Sequence, residues 1–389
     1  MKQKHSHFLI PGILLLGIVL RAPFTTLSTV LSDIASGLGV EVSSLGLLTS
    51  LPLLTFAIFS PFAASWAKRF GIERLFLGVL IVMTLGSALR TFNLPLLYVG
   101  TILVGAGIAF INVLLPSLIQ ANQPDRLGFL TTLYITSMGL STAVASSVAV
   151  PITKATSWQG LVWVLTAVCA LALVIWLPNV RHNHYLEQDT STSENSGSWY
   201  KSGKVWAIMI FGGLQSLFFY TTITWLPTMA TQSGVGEANA GILASVFTLT
   251  SIPFSMIVPS LITKLSNRNR HVMLVATVLA GLVGVAMLLV NTNSFVYWLV
   301  LNLLIGSSAS VLFPYMMVVF SMKASSPEKT AQLSGLAQTG GYIFAALGPV
   351  LFGSSKQVFN SWTPAVLILL ALTLIMGIAL YKVEKTDVI

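Results

Sequence analysis

The feature that most limits what this chain can become is a succession of apolar runs, each long enough to cross a bilayer. A helical span needs about 20 mostly apolar residues. Twelve such runs can be read, over 9–33, 43–66, 73–91, 95–119, 128–152, 159–178, 204–228, 239–263, 271–290, 295–321, 331–354 and 362–382. Only 8% of the 389 residues are charged and 55% are hydrophobic, whereas soluble domains carry roughly 25% charged residues. No water-soluble core hides that much apolar surface, because accessible area does not shrink fast enough with size. The expected class is therefore an all-α polytopic membrane protein. Its single cysteine, Cys169, sits in an apolar run, so neither a disulfide framework nor a cysteine metal site is expected. The basic start and short apolar stretch that follows have the outline of a cleaved leader. Arg21 stands where such a leader needs small residues, however, and the hydrophobicity continues to the C-terminus.

The net charge of +9 raises the question of nucleic acid or other anionic partners. Its distribution answers otherwise. With the N-terminus placed in the cytoplasm, sixteen of the 20 lysines and arginines fall on the cytoplasmic side. Only Arg90, Lys154 and Lys356 fall outside, and Arg21 lies within a span. That split follows the positive-inside rule. The basicity is a topology signal, which predicts both termini inside the cytoplasm and no nucleic-acid partner.

The longest polar stretch, RHNHYLEQDTSTSENSGSWYKSGK, lies between the sixth and seventh runs. It divides the chain into a first six-helix half (1–178), a cytoplasmic linker (179–203) and a second six-helix half (204–389). The halves carry matching strings. SGLGVE (36–41) pairs with SGVGEA (233–238), VLLPS (113–117) with VLFPY (311–315), and Pro124-Asp125-Arg126 with Pro327-Glu328-Lys329. Three matches in order argue for two parallel, pseudo-symmetric halves of six helices. That is the major facilitator architecture, in which a solute path runs between the halves near the bilayer midplane.

Several chemistries are missing. GSWYKSGKV (197–205) has the wrong spacing for a nucleotide-binding P-loop and ends in Val where Ser or Thr is needed. The five histidines (His5, His7, His182, His184 and His271) lie in tails, linker or loop edges, and no acid lies near the middle of a span. No catalytic pair or metal cluster can be assembled, so neither an enzyme nor a cofactor is expected. A receptor or sensor would carry an added soluble domain, and none is evident. Proton relays in membranes use Asp, Glu or His. Direct coupling through a buried carboxylate is therefore disfavoured, and facilitated flux, exchange, or coupling through Asp33 or the solute itself stay open.

Longer strings point to a family. LRAPFTTLSTVL in the first span, INVLLP followed by QPDRLGFLTTLY, GLQSLFFYTTITWLP in the seventh, and LFPY followed by QLSGLAQTGGYIFAALGPVLFG resemble the cyanate-permease and 2-nitroimidazole-transporter family of the major facilitator superfamily. The resemblance runs from the first span to the last, sparing the linker and tails. It implies a multi-pass carrier of the bacterial cytoplasmic membrane, expected to be monomeric, for small organic or inorganic solutes. The loop after the second span, AASWAKRFGIER (63–74), departs from the superfamily pattern Gly-x-x-x-Asp-Arg-x-Gly-x-Arg-Arg. Ala64 replaces the first Gly, Lys68 the Asp, and Glu73 a basic residue, while Arg69, Gly71 and Arg74 fit. With the latching acid missing, this stretch reads as a basic turn held inside by topology.

The candidate solute site begins with Arg21, in the middle of GILLLGIVLRAPFTTLSTVL (12–31). Gly17, Arg21, Thr25, Ser28 and Ser32 share one small or polar helix face. Such a face either lines a cavity or packs closely on a neighbour. Pro23 cannot donate to the carbonyl of Val19, so the helix is expected to bend there. In the seventh span Gln215, Phe219 and Thr222 share a face with Tyr220 and Trp225 nearby, and the rings would form a wall or else packing contacts. Asn112 needs a buried partner, and Tyr134, Gln338 and Tyr342 complete the substrate-binding set. An Arg at mid-membrane costs about 2.5–3.5 kcal/mol on insertion scales, and no acid is placed to pair with it. Arg21 is thus expected either to be the counter-charge of the solute or to be satisfied by Asn112, Gln215 and freed carbonyls. The first option predicts a transporter of a small anionic or strongly polar solute, cyanate-like in class. The runner-up is an exporter of a neutral drug-like compound such as a nitroimidazole.

Overall fold

A computed structural model describes residues 6–41, 45, 47–186 and 202–386. Most of the expected linker (187–201) lies outside these residues. The described chain forms twelve helical spans: α1 (Leu9–Leu38), α2 (Leu47–Phe70), α3 (Ile72–Leu89), α4 (Leu94–Asn122), α5 (Leu127–Ala155), α6 (Trp158–Trp176), α7 (Gly203–Gln232), α8 (Glu237–Lys264), α9 (Asn267–Met287), α10 (Phe295–Met322), α11 (Pro327–Phe359) and α12 (Thr363–Lys385). Among the described residues, eleven helices are long and apolar enough to cross a membrane by length and composition. The twelfth, α2, has 24 residues and carries its charges, Lys68 and Arg69, only in its last turn.

Several helices run past the apolar stretch that announces them, because caps and not hydropathy end a helix. The Asn93 side chain accepts from the Leu96 amide at 3.0 Å and starts α4. Ser157 accepts from Gly160 at 3.0 Å and starts α6. Ser326 accepts from Lys329 at 3.3 Å, which opens α11 well before its apolar run. Each cap satisfies an amide that a helix start otherwise leaves bare.

The bend expected in α1 is a break. Regular helix stops at Val19, resumes over Ala22–Thr25, tightens to a 3-10 turn over Leu27–Val30, and continues over Leu31–Leu38. Arg21 sits at the break with φ −123° and ψ −51°. The small-residue face splits accordingly. Gly17 is a packing position: a Cβ there would lie 2.6 Å from the Tyr134 carbonyl oxygen on α5. Ser28 and Ser32 are exposed.

The first six helices pack largely on one another, as do the last six. Between the two sets, α2 and α4 meet α11, α5 meets α8, and α4 and α5 touch α10. The spans α4 and α10 are buried along most of their length, whereas α6, α9 and α12 expose Leu171, Leu279 and Ile378 on their outer sides. That is the pattern expected where lipid, not water, covers the perimeter.

Candidate functional site

Where the two sets of helices meet, a cavity of about 320 Å³ opens. The broken α1 supplies Arg21, Phe24 and Thr25, and α7 supplies Gln215, Phe219 and Tyr220. Gln338 and Tyr342 of α11 face them. Arg21 lies twelve residues into α1, roughly 18 Å from its start at 1.5 Å per residue, near the middle of that 30-residue span. Seven of the ten residues singled out from the sequence therefore surround one space.

The other three lie outside the lining. Asn112 stands behind it: its amide donates to Gln338 Oε1 at 2.7 Å and to the Tyr342 hydroxyl at 2.8 Å. Gln338 Nε2 returns a bond to the Asn112 carbonyl at 3.1 Å and another to Ser334 Oγ at 2.8 Å. This network fixes the rotamers of two lining residues and ties α4 to α11. Tyr134 is buried in α5 beside Gly17. Trp225 donates to the Pro349 carbonyl at 2.8 Å and packs on Trp362, ring to ring at 5.2 Å, so it braces α7 against α11 and α12. Thr222 back-bonds to the Phe218 carbonyl at 2.7 Å.

Residues not anticipated complete the walls. Thr248, Ser251 and Ser255 come from α8, Met138 from α5, and Phe313, Met316 and Met317 from α10. Phe24 reaches Tyr342 through Phe56, with ring centroids 5.9 and 4.6 Å apart. Phe219 and Tyr220 meet edge to face at 5.2 Å. The lining is mostly apolar and aromatic, with few polar groups to set orientation, as small-molecule sites commonly are.

Among the described residues, no carboxylate lines the cavity and no side chain accepts a hydrogen bond from the Arg21 guanidinium. Neither amide considered from sequence as a partner bonds it. Asn112 points its amide at α11, and the nearest bond of Gln215 is a long one from Ser216 Oγ at 3.5 Å. The backbone around the break is served by another cation. Arg90, read from sequence as an outer-loop charge, is 1% exposed and donates from Nη1 to the Pro23 carbonyl at 2.8 Å. It braces the broken segment from behind and leaves Arg21 facing the cavity.

Below the cavity, the end of the bundle that carries the basic loops is tied across the two sets of helices. Ser117 Oγ donates to the Pro327 carbonyl at 2.6 Å. Gln120 Nε2 reaches the Ser321 and Ala324 carbonyls at 3.2 and 3.1 Å and accepts from Thr330. Thr132 and Ser260 hydroxyls join α5 to α8 at 2.8 Å. Lys68 of α2 forms an ion pair with Glu328 at the start of α11. Lys68, in the last turn of α2, thus meets its acid on the opposite set of helices, and the 63–74 stretch is more than a basic turn. Its other unusual residue, Glu73, is buried. It accepts from Asn122 at 3.0 Å, from the His184 amide at 2.6 Å, and pairs with His184 Nδ1 at 2.6 Å. That last contact raises the His184 pKa, against partial desolvation that lowers it.

The profile of the Major Facilitator Superfamily matches residues 13–349 and 208–388. An uncharacterized transporter, YycB of Bacillus subtilis (strain 168), is 34% identical over 97% of this chain and 94% of its own length. A 2-nitroimidazole transporter of Escherichia coli (strain K12) is also 34% identical, covering 96% and 95%. The cyanate transport protein CynX of the same organism is 23% identical over 90% of each. In fold, the chain is similar to the proton:xylose symporter XylE bound to 6-bromo-6-deoxy-D-glucose, with a TM-score of 0.79, 11% identity, and 100% and 98% of the two chains covered. Twelve spans around a central cavity and these matches together make the chain a membrane transporter, not an enzyme, and a member of the major facilitator superfamily.

Proposed function

We propose that the chain is a secondary transporter of the cytoplasmic membrane for a small, flat solute bearing paired oxygens, a carboxylate or a nitro group. The observation that carries this reading is the Arg21 guanidinium, which faces the cavity without a carboxylate partner among the described residues. A guanidinium presents donors in a planar fork that matches two oxygens at once. The rings of Phe24, Phe219, Tyr220 and Tyr342 offer faces for a flat solute, and Gln215 offers an amide to its edge, while Gln338, with both N–H groups already donated, offers only its Oε1. Size narrows the cyanate-like class. A three-atom anion takes about two waters' volume, roughly 60 Å³, against a cavity of about 320 Å³. A ring-sized solute uses the space better, in keeping with the relative named for 2-nitroimidazole.

The mechanism follows alternating access. The ties below the cavity close the basic-loop end, which on the positive-inside reading would face the cytoplasm along with both termini. On that reading, a conformation tied shut at this end would exchange solute with the outside. No acid or histidine lines the cavity among the described residues, so proton coupling through a cavity carboxylate has no residue to use.

The test is binding to purified protein, with 2-nitroimidazole, unsubstituted imidazole, benzoate and cyanate as probes. Arg21→Gln should lose affinity for the nitro and carboxylate compounds by tenfold or more. Arg21→Lys should fail to restore it, because the fork is gone. If Arg21→Gln binds all four as the parent does, the Arg21 site is wrong. The reading as an exporter of neutral drug-like compounds then takes over, favoured by Met138, Met316 and Met317, whose flexible thioethers adapt to varied shapes.

A further inference from the structure

At the basic-loop end of the last six helices, away from the central cavity, a second recess of about 680 Å³ lies between the start of α9 and the ends of α10 and α12. Among the described residues, four cations line it, Arg268, Arg270, Lys323 and Lys385, against one carboxylate, Glu384. That carboxylate is engaged internally. Arg270 Nε donates to Oε1 at 2.5 Å and the Tyr315 hydroxyl to Oε2 at 2.6 Å. Lys323 Nζ is held by the carbonyls of Glu384 and Thr386 at 2.9 and 2.5 Å. The inner layer of the recess is therefore a fixed scaffold. Arg268 and Lys385 form its outer rim, with Arg268 exposed and Lys385 Nζ 4.6 Å over the Tyr381 ring.

The recess continues into the membrane. His271, Tyr381 and Glu384 also head an apolar groove of about 280 Å³ between α9 and α12. Leu274, Val278 and Leu282 form one wall, and Leu374, Gly377 and Ile378 the other. From His271 to Leu282 the groove follows α9 for about 16 Å. That is about one leaflet of a hydrocarbon core roughly 30 Å thick. The floor stays shallow because the helices meet closely there: a Cβ at Gly377 would lie 2.8 Å from Val278 Cγ1.

A cationic cup that opens into an apolar groove one leaflet deep matches an amphiphile with an anionic head and an acyl tail. We propose that this is a binding site for an anionic phospholipid of the leaflet on the basic-loop side, its phosphate between Arg268 and Lys385 and one acyl chain along α9 and α12. Free phosphate would use the cup but not the groove, and a zwitterionic lipid would use the groove with less from the cup. Each basic side chain at such a surface is worth about fivefold in affinity.

The test is native mass spectrometry of the full chain in mild detergent, titrated separately with phosphatidylglycerol, phosphatidylcholine and glycerol 3-phosphate. Phosphatidylglycerol should bind about tenfold or more tightly than phosphatidylcholine, and glycerol 3-phosphate should show no saturable adduct. Arg268→Gln with Lys385→Gln should weaken phosphatidylglycerol about 25-fold. Ile378→Trp, which fills the lipid-exposed wall of the groove without touching the cup, should weaken it at least fivefold and so tests the site even if the double variant folds poorly. Arg126→Gln with Lys264→Gln removes the same charge from the same end of the bundle and should change nothing. The proposal is overturned if the Arg268/Lys385 variant or Ile378→Trp binds phosphatidylglycerol as the parent does. It is also overturned if the Arg126/Lys264 variant loses as much, if phosphatidylcholine binds equally, or if glycerol 3-phosphate binds as tightly as the lipid.

Discussion

The Lys68–Glu328 pair should set how often the basic-loop end of the bundle opens. The Lys68 side chain is 34% exposed and that of Glu328 only 9%. Exposed pairs contribute about 0.2–1 kcal/mol, and breaking a fully buried one costs about 3–5 kcal/mol. With one end wet and screened and the other buried, about 1–2 kcal/mol is the reasonable middle. Glu328→Gln keeps the side-chain shape, including a partner for Gln332, whose Nε2 now lies 3.0 Å from Glu328 Oε1, and removes only the charge. At 1.4 kcal/mol per factor of ten, it should raise the open population about five- to thirtyfold. The reporter is Ala331→Cys in a chain whose Cys169 has been replaced, since Ala331 is fully buried one turn along α11 from Glu328. Its rate of reaction with an impermeant thiol reagent, measured in vesicles that expose the basic-loop side, should rise by that factor. Lys68→Gln should do the same, and Lys68→Glu with Glu328→Lys should return the rate to within about twofold of the parent. If neither single variant labels faster, or if the charge swap stays as open as the singles, the pair is not a latch.

Three further outcomes are expected. Because its bond to Glu73 raises the His184 pKa, the ion pair is complete below the ordinary histidine range and is lost as pH rises through the raised value; proteolysis between residues 183 and 186 should therefore speed up on the alkaline side, and His184→Gln should abolish that pH dependence. Arg90→Met keeps bulk but strands the Pro23 carbonyl, so it should cost about 1–3 kcal/mol, read as a lowered melting temperature in detergent, and an unchanged melt would show that the brace is dispensable. Single cysteines at Ser193 and Asn293, again with Cys169 replaced, should label with an impermeant reagent from outside intact cells only at Asn293; labelling at Ser193 alone would reverse the orientation.

The twelve spans, and Arg21 as an anomaly within the first of them, were legible in the sequence because the bilayer acts on each segment separately. Hydropathy and length decide whether a run enters lipid, and a permanent charge in the middle of such a run is anomalous on its own. Thr25, Gln215 and Tyr342 could be named for the same local reason, as polar groups in apolar helices. What only the tertiary structure decided depends on which helix lies beside which. Thr248 and Ser255 back-bond to their own helix, so they carry no sequence mark of facing a cavity and not lipid. Tyr134 and Trp225 carry the same aromatic signal as Phe219 and Tyr220, yet their neighbours place them in packing. Arg90 looked like a loop charge until Pro23 came to rest against it. Lys68 and Glu328 lie in opposite ends of the chain and become a pair only when α2 packs on α11. In lipid there is no general hydrophobic pull between helices, so lateral neighbours are chosen by close steric fit and a few polar bonds. Those are properties of two segments at once, which a single run of sequence does not contain.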